Sequence, residues 1–451
     1  MLRMKTRAAG LLMTLMSALL HCSLAAAQTS LPTFPDAKQS DPQANRIMQG
    51  FPPPPDKMVR FGDGSASKFP GTRWSFNHLR ELMPNADVLR GEGPVAMLPR
   101  EERDLGTVKF TTMDGAPMNF DEALQKTYAD GIVVLHKGKI VYERYFGAGA
   151  PHRPHAAFSL TKSFVGTLAT MLIIEGKLDP TALVTKYVPE LQSSAYGHAT
   201  VRQAMDMLVN AKYSENYADP NAEIWNYSRA GGWIPLRPDY TGPRTYYDFL
   251  VTLQKQGEPG ETFAYNTVTA EVLAWLTKRA TGKRLADLMS EKIWSKIGAE
   301  KDAYFVVDSI GTERGGAGLA TTLRDLARFG EVMRNKGQYN GQQIIPAPVV
   351  EDMIKGADKE IFAKAGYKTL PGWSYRAFWW LTNNDHGAYT ARDIYGQALY
   401  IDPKAEMVIA RYASHLVGAN AAHDPISLPA YAAVADELMR SDARADNRDA
   451  K

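Results

Sequence analysis

The chain has 451 residues, 45% of them hydrophobic and 22% charged, which excludes a collagen-like or wholly disordered polymer and leaves material for a large core. Its formal charge of +3 is matched by Arg3, Lys5 and Arg7, which precede an apolar run at 8–20 and then Ala25-Ala26-Ala27. That is the basic, apolar and small-residue pattern of a secretory signal peptide, read here as 1–27. Cleavage takes three of the 52 basic residues and leaves 49 against 49 acidic ones. A neutral mature chain has no field for nucleic acid, and none is expected as a partner. The single cysteine, Cys22, leaves with the signal, which removes disulfides, a thiol nucleophile and thiolate-bound zinc. Export without disulfides points to the periplasm or the medium. No later apolar run has the length of a membrane span.

In chain order, 28–105 is rich in Pro, Asp, Ser and Gly and reads as an extended arm, pinned by a short helix at 76–82. Two β-rich runs flank Lys137-Gly138, so 131–146 is a hairpin. Residues 158–175 are almost all apolar or small and Gly176 follows, the pattern of a buried helix. The region 181–297 reads as mainly helical, with helices at 201–208, 246–255, 269–281 and 285–297 and a long loop at 210–242 of the kind that usually serves a site. A helix with a polar outer face is expected at 322–336, then strands at 375–382, 396–401 and 407–413, then a helix at 429–440. The charged tail 441–451 is expected to fray. Sheet elements at both ends with helices between them predict an α+β fold. One antiparallel sheet, drawn from 106–180 and 298–440, would be flanked by helices, with 181–297 as a helical insertion domain and the site in the cleft.

The sequence has no G-x-S-x-G elbow and no H-E-x-x-H. It has Ser-x-x-Lys twice, at Ser65/Lys68 in the arm and at Ser159/Lys162 opening the buried helix. On a helix, positions i and i+3 share a face, so the lysine amine can reach the serine hydroxyl; an irregular arm fixes no such distance. At a helix N-terminus the Ser159 backbone N–H can serve as half of an oxyanion hole. The positive helix end and burial both disfavour a protonated Lys162, as a base requires. A lysine in an otherwise apolar helix is costly without a task. Ser65 and Lys68 read as ordinary loop residues.

Phe158-Ser-Leu-Thr-Lys-Ser163, followed later by Phe263-Ala-Tyr265-Asn266-Thr267, resembles the serine β-lactamase and penicillin-recognising superfamily. Within it, the chain looks most like the 6-aminohexanoate-dimer hydrolase (nylon-oligomer hydrolase) branch, beside class C β-lactamases and family VIII esterases. The likeness extends to Arg73-Trp-Ser-Phe76, Ser214-Glu-Asn-Tyr217, Gly315-Gly-Ala-Gly318 and Gly396-Gln397. It implies a β-lactamase/transpeptidase-like fold, Ser159 as the acylated nucleophile, Lys162 as the cation that lowers a tyrosine pKa, and Tyr265 as the general base. A phenol titrating near 10 is a poor base at neutral pH without such a neighbour. The resemblance places the second oxyanion N–H in a late strand, at Ile394 or Tyr395. Asp393 stands there where many relatives have Gly, and no Lys-Thr-Gly is present, which weakens the β-lactamase reading.

The same branch suggests that the loop bearing Glu215, Tyr217, Asp219 and Glu223 holds a cationic amine while Tyr217 donates to the scissile nitrogen; the plain alternative is a solvated acidic loop. Asn266 is expected to shape the Tyr265 turn at the substrate. Of Trp379 and Trp380 at most one can line the acyl pocket, since successive strand residues face opposite ways; Trp380 is the candidate. His386 and His415 read as structural, and neither metal nor cofactor is called for. The expectation is a secreted serine hydrolase of a small amide or ester. The alternatives are a family VIII-like carboxylesterase, a class C-like β-lactamase, or a noncatalytic peptidoglycan- or ligand-binding protein.

Overall fold

The hairpin read from the sequence stands at one end of the main sheet in the computed structural model, which describes residues 34–217 and 219–449. The signal peptide read at 1–27 lies outside the described residues. The strands used below are, in chain order, β1 (Asn85–Val88), β2 (Ala129–His136), β3 (Lys139–Tyr145), β4 (His155–Ala156), β5 (Ala303–Val306), β6 (Leu319–Thr321), β7 (Ser374–Arg376), β8 (Trp379–Leu381), β9 (Tyr389–Arg392), β10 (Ala398–Asp402) and β11 (Met407–Ala413). The helices are α1 (Leu160–Ile174), α2 (Glu223–Ala230), α3 (Thr267–Thr281), α4 (Leu323–Arg334) and α5 (Asp424–Asp449).

Seven strands make one antiparallel sheet in the order β7-β8-β9-β10-β11-β2-β3, so the two ends of the chain meet where Ile409 faces Val134. A smaller sheet, β1-β5-β6-β4, lies beside the start of α1. Both faces of the main sheet are covered, and the strand residues alternate between the two layers as a pleat requires. Val133 and Leu135 of β2 join the core shared with α1, α3 and α4, whereas Ile132 and Val134 pack with Ala430, Tyr431 and Val434 of α5. This two-sided burial explains the near-continuous apolar runs in β2 and β11.

The central helix is α1, buried from Leu160 through Leu172. It meets the β7–β8 turn so closely that a Cβ at Gly166 would stand 2.0 Å from the Ala377 carbonyl oxygen. Ser163 donates to the Phe378 carbonyl one turn earlier, at 2.6 Å. The first turn of α1 is thereby fixed against the sheet.

The structure corrects several expectations. The arm carries two short helices, Thr72–Ser75 and Leu79–Leu82, and β1, which pairs with β5. Arg73 is clamped to Asp130 at 2.8 Å, with both side chains 1% exposed. The polar face of α4 is not outer: Arg328 pairs with Asp325 at 2.9 Å and donates to the Ala96 carbonyl, because the arm crosses that face. The loop at 210–242 contains α2, whose Ile224, Tyr227 and Ala230 are buried. The segment 375–382 is two strands around a turn, not one. The terminal helix runs past Arg440 to Asp449, and Asp442 is held by Lys137 at 2.8 Å and His136 at 3.2 Å, so the tail does not fray at 441.

Candidate active site

Ser159 sits at the N-cap of α1 but makes no capping hydrogen bond with its side chain. The hydroxyl is free for other partners. Phe158, immediately before it, has φ +44°, a left-handed conformation that costs a non-glycine residue of order 1–3 kcal/mol. The ring is fixed in an aromatic cluster with Phe76, Trp233 and Tyr395 at centroid distances of 4.6, 5.8 and 5.6 Å, which holds the turn and presents Ser159.

One turn on, Lys162 Nζ lies 2.8 Å from Ser159 Oγ and donates to the Gly316 carbonyl at 2.7 Å. Burial brings its pKa down to about 8, against the opposing pull of Glu215, Asp393 and Glu271. A neutral amine is therefore accessible near physiological pH, in contact with the Ser159 hydroxyl.

Tyr265 comes from the other side, just before α3, and its ring centroid is 5.0 Å from Lys162 Nζ. Burial drives its phenol well above the ordinary value, and a hydrogen bond with Ser159 pulls it partly back. Lys162 Nζ is thus in contact with the Ser159 hydroxyl, and Tyr265 stands beside the pair with its phenol pushed up by burial.

Two backbone N–H groups converge beside Ser159, and both point at one side chain. Ser159 N donates to Asp393 Oδ1 at 3.2 Å and Tyr395 N donates to Asp393 Oδ2 at 2.9 Å. The strand β9 ends at Arg392, so residues 393–396 form a turn, closed by Gly396 N on the Asp393 carbonyl at 3.1 Å. Of the two candidates for the second oxyanion donor, Tyr395 makes the 2.9 Å bond to the carboxylate that Ser159 also reaches, and the Ile394 N–H acts on the same group more weakly. The Asp393 carboxylate occupies that focus. Its pKa is raised by burial, with the Tyr395 and Ser159 N–H groups opposing.

Residues 119–432 match the Beta-lactamase family. The chain belongs to the beta-lactamase family. It is 34% identical to the 6-aminohexanoate-dimer hydrolase of Paenarthrobacter ureafaciens over 76% of this chain and 86% of that protein. A solved Bacillus anthracis chain, provisionally named a 6-aminohexanoate-dimer hydrolase, is 35% identical with a TM-score of 0.78, covering 86% of this chain and 99% of its own. EstCE1, a hydrolase with promiscuous acyltransferase activity, shares the fold at 13% identity and a TM-score of 0.55, over 70% of this chain and 98% of its own. The β-lactamase/transpeptidase-like fold read from the motifs is thereby established.

In this beta-lactamase-family cavity, Ser159, Thr267, Arg314 and Asp393 share the wall with Tyr217, Trp225, Trp233 and Tyr395. Tyr217 packs edge-on against Trp225 at 5.9 Å, and burial next to Glu215 holds its phenol well above the usual value, so it stays a donor. Glu215 is drawn inward and accepts the Thr267 N–H, so it caps α3 and fixes the Tyr265 turn. The other acids of the loop are also turned to backbone: Glu223 accepts from Ser214 N at 3.0 Å and Asp219 from Asn221 N at 2.8 Å. The loop is thus braced by its acids.

Asn266 is buried at the N-cap of α3 and its side chain makes no capping bond. Trp380 packs behind Tyr265 at 5.3 Å and is not part of the Ser159 cavity wall, while Trp379 turns the other way and donates to Thr167 at 3.2 Å. Ser65 lies in a single 3-10 turn with its hydroxyl on Arg60 backbone, and the neighbouring Lys68 is exposed. His386 is bonded to Asp402 and His415 to the Val417 carbonyl, and neither ring is part of the Ser159 cavity wall. Sequence reasoning missed Arg314, whose signal was a lone cation directly before Gly315-Gly-Ala-Gly318, and it missed the aromatic wall of Trp225 and Trp233.

Proposed function

We propose that this beta-lactamase-family hydrolase cleaves a carboxylic amide or ester through an acyl-enzyme on Ser159, and that it does so after export and removal of residues 1–27. The observation that carries the reading is Lys162 Nζ 2.8 Å from Ser159 Oγ, with the amine brought to about 8 by burial. The Ser159 proton passes to neutral Lys162 as Oγ bonds to the substrate carbonyl carbon. The carbonyl oxygen then takes negative charge at the Ser159 and Tyr395 N–H groups, in place of the Asp393 carboxylate. Collapse of the adduct breaks the bond to the alcohol or amine, whose leaving atom takes a proton from Tyr265 or, for an amide nitrogen, from Tyr217. The proton held on Lys162 then restores the tyrosine. In the second half water attacks the Ser159 ester and gives a proton to neutral Lys162, and that proton returns to Ser159 Oγ as the acid leaves.

The relatives named above support the class of reaction, and the persistently protonated Tyr217 in the cavity favours an amide over an ester that leaves unaided. Incubation with a fluorophosphonate and intact-mass measurement tests the acyl-serine step. Wild type and Ser65→Ala should gain one adduct, and Ser159→Ala none. An unlabelled wild type would overturn the reading. Secretion is tested by N-terminal sequencing of the protein recovered from the periplasm or medium, which should begin at Gln28.

A further inference from the structure

A guanidinium is expensive to bury, and the usual compensation is a carboxylate on its planar fork. Arg314 is 6% exposed, yet among the described residues no carboxylate oxygen comes within 4.0 Å of it. Its Nε donates to the Tyr227 hydroxyl at 3.1 Å, and the guanidinium lies 5.2 Å from the Tyr227 ring centroid and 5.1 Å from that of Trp233. The two Nη groups hydrogen-bond to no described residue, and the residue forms part of the wall of the Ser159 cavity.

The acids nearby are committed elsewhere. Glu271 accepts from Gly315 N at 2.7 Å, Gly316 N at 2.9 Å and the Tyr227 hydroxyl at 2.5 Å. Glu215 is spent on the Thr267 N–H and Asp393 on those of Ser159 and Tyr395. The fold therefore builds the rings and the Tyr227 acceptor that orient the guanidinium, and leaves its outer edge unpaired inside the reaction cavity. Around it the wall is apolar, with Trp225, Trp233, Ile224 and Ile234.

We propose that Arg314 receives a carboxylate carried by the substrate at the far end of an apolar acyl chain, so that the preferred substrates are acidic amides or esters. The guanidinium would bind that carboxylate through its Nη edge while Ser159 attacks the carbonyl at the near end. This selectivity is opposite to the ammonium recognition expected from the acidic loop. It rests on the acyl-serine reading above but can be separated from it.

The test compares p-nitrophenyl hexanoate, the p-nitrophenyl monoester of adipate and p-nitrophenyl 6-aminohexanoate, three six-carbon acyl groups ending in methyl, carboxylate and ammonium. Wild type should favour the adipate ester over hexanoate in kcat/KM by roughly tenfold or more, the worth of a charge-assisted bond, and should disfavour the ammonium ester. The ratio is the readout: it should collapse towards one in Arg314→Gln and recover in part in Arg314→Lys. A second measurement needs no turnover. Calorimetric binding of adipate to Ser159→Ala should weaken by a similar factor when Arg314→Gln is added. Hydrolysis of all three esters with no carboxylate preference, or adipate binding indifferent to Arg314, would overturn the proposal and leave the hydrolase reading intact. No hydrolysis with Arg314-dependent adipate binding would do the reverse.

Discussion

If the hydrolase works through an acyl-serine as proposed, Asp393 should slow acylation of Ser159, because its carboxylate accepts from the Ser159 and Tyr395 N–H groups that would meet a substrate oxyanion. Replacing it by glycine frees both donors. The bond from Tyr395 is local, two residues along the same turn, and the bond from Ser159 at 3.2 Å reaches across the site. A substrate carbonyl must at least displace the second. A hydrogen bond to a charged group has a net worth of about 1.5–3 kcal/mol, so Asp393→Gly should raise kcat/KM for p-nitrophenyl butyrate by roughly 10- to 150-fold. The second-order rate of fluorophosphonate labelling should rise in parallel. Asp393→Asn keeps the shape without the charge and should fall between. Burial raises the Asp393 pKa above its ordinary value of 3.8, so protonation on acidification weakens the two bonds in the wild type. The advantage of Asp393→Gly should therefore shrink as pH falls through that raised pKa. If both variants fold, as judged by thermal melts, and both are slower than wild type, Asp393 is a required part of the site and the argument fails.

Three further outcomes rest on the same geometry. Burial brings Lys162 down to about 8; if its neutral form accepts the Ser159 proton as proposed, kcat/KM should rise with pH through about 8 and fall about tenfold per unit below it. Arg314→Gln removes a neighbouring charge that disfavours protonated Lys162 and should move this limb to higher pH; a profile centred near 6 would assign the limb to another group. Tyr217→Phe should depress hydrolysis of a 6-aminohexanoate-type linear amide at least tenfold more than that of p-nitrophenyl butyrate, since a p-nitrophenolate leaves without a proton; equal losses would remove Tyr217 from the chemistry.

What could be read from the sequence follows from how local each feature is. Ser159 and Lys162 are three residues apart on one buried helix, and α1 forms over Leu160–Ile174 close to the span expected, so spacing alone delivers the 2.8 Å contact. The seam β11–β2 was legible as strand because both its faces are buried and the runs are continuously apolar. Tyr265 is another matter. One of 21 tyrosines, it was singled out by family motif, and no periodicity in the chain distinguishes it.

The cavity itself was not legible, and the reason is topological. Its wall is assembled from the arm at Phe76, the turn at Phe158, the loop and helix at 217–234, and the segments at Thr267, Arg314 and 393–395. No spacing rule connects six such segments. Nor did charge show where the acids of the 214–223 loop point: Glu215 accepts an N–H of α3, and Asp219 and Glu223 accept N–H groups of their own loop. Counting carboxylates in a loop says nothing about where they point; a loop of that length has to satisfy its own backbone first, and short acidic side chains are the local means of doing so. Arg314 is the converse case. Its backbone neighbours Gly315 and Gly316 are taken up by Glu271, which leaves the arginine as the one strong donor of that turn still facing the cavity, and so as the residue whose replacement should change what the enzyme prefers to cleave.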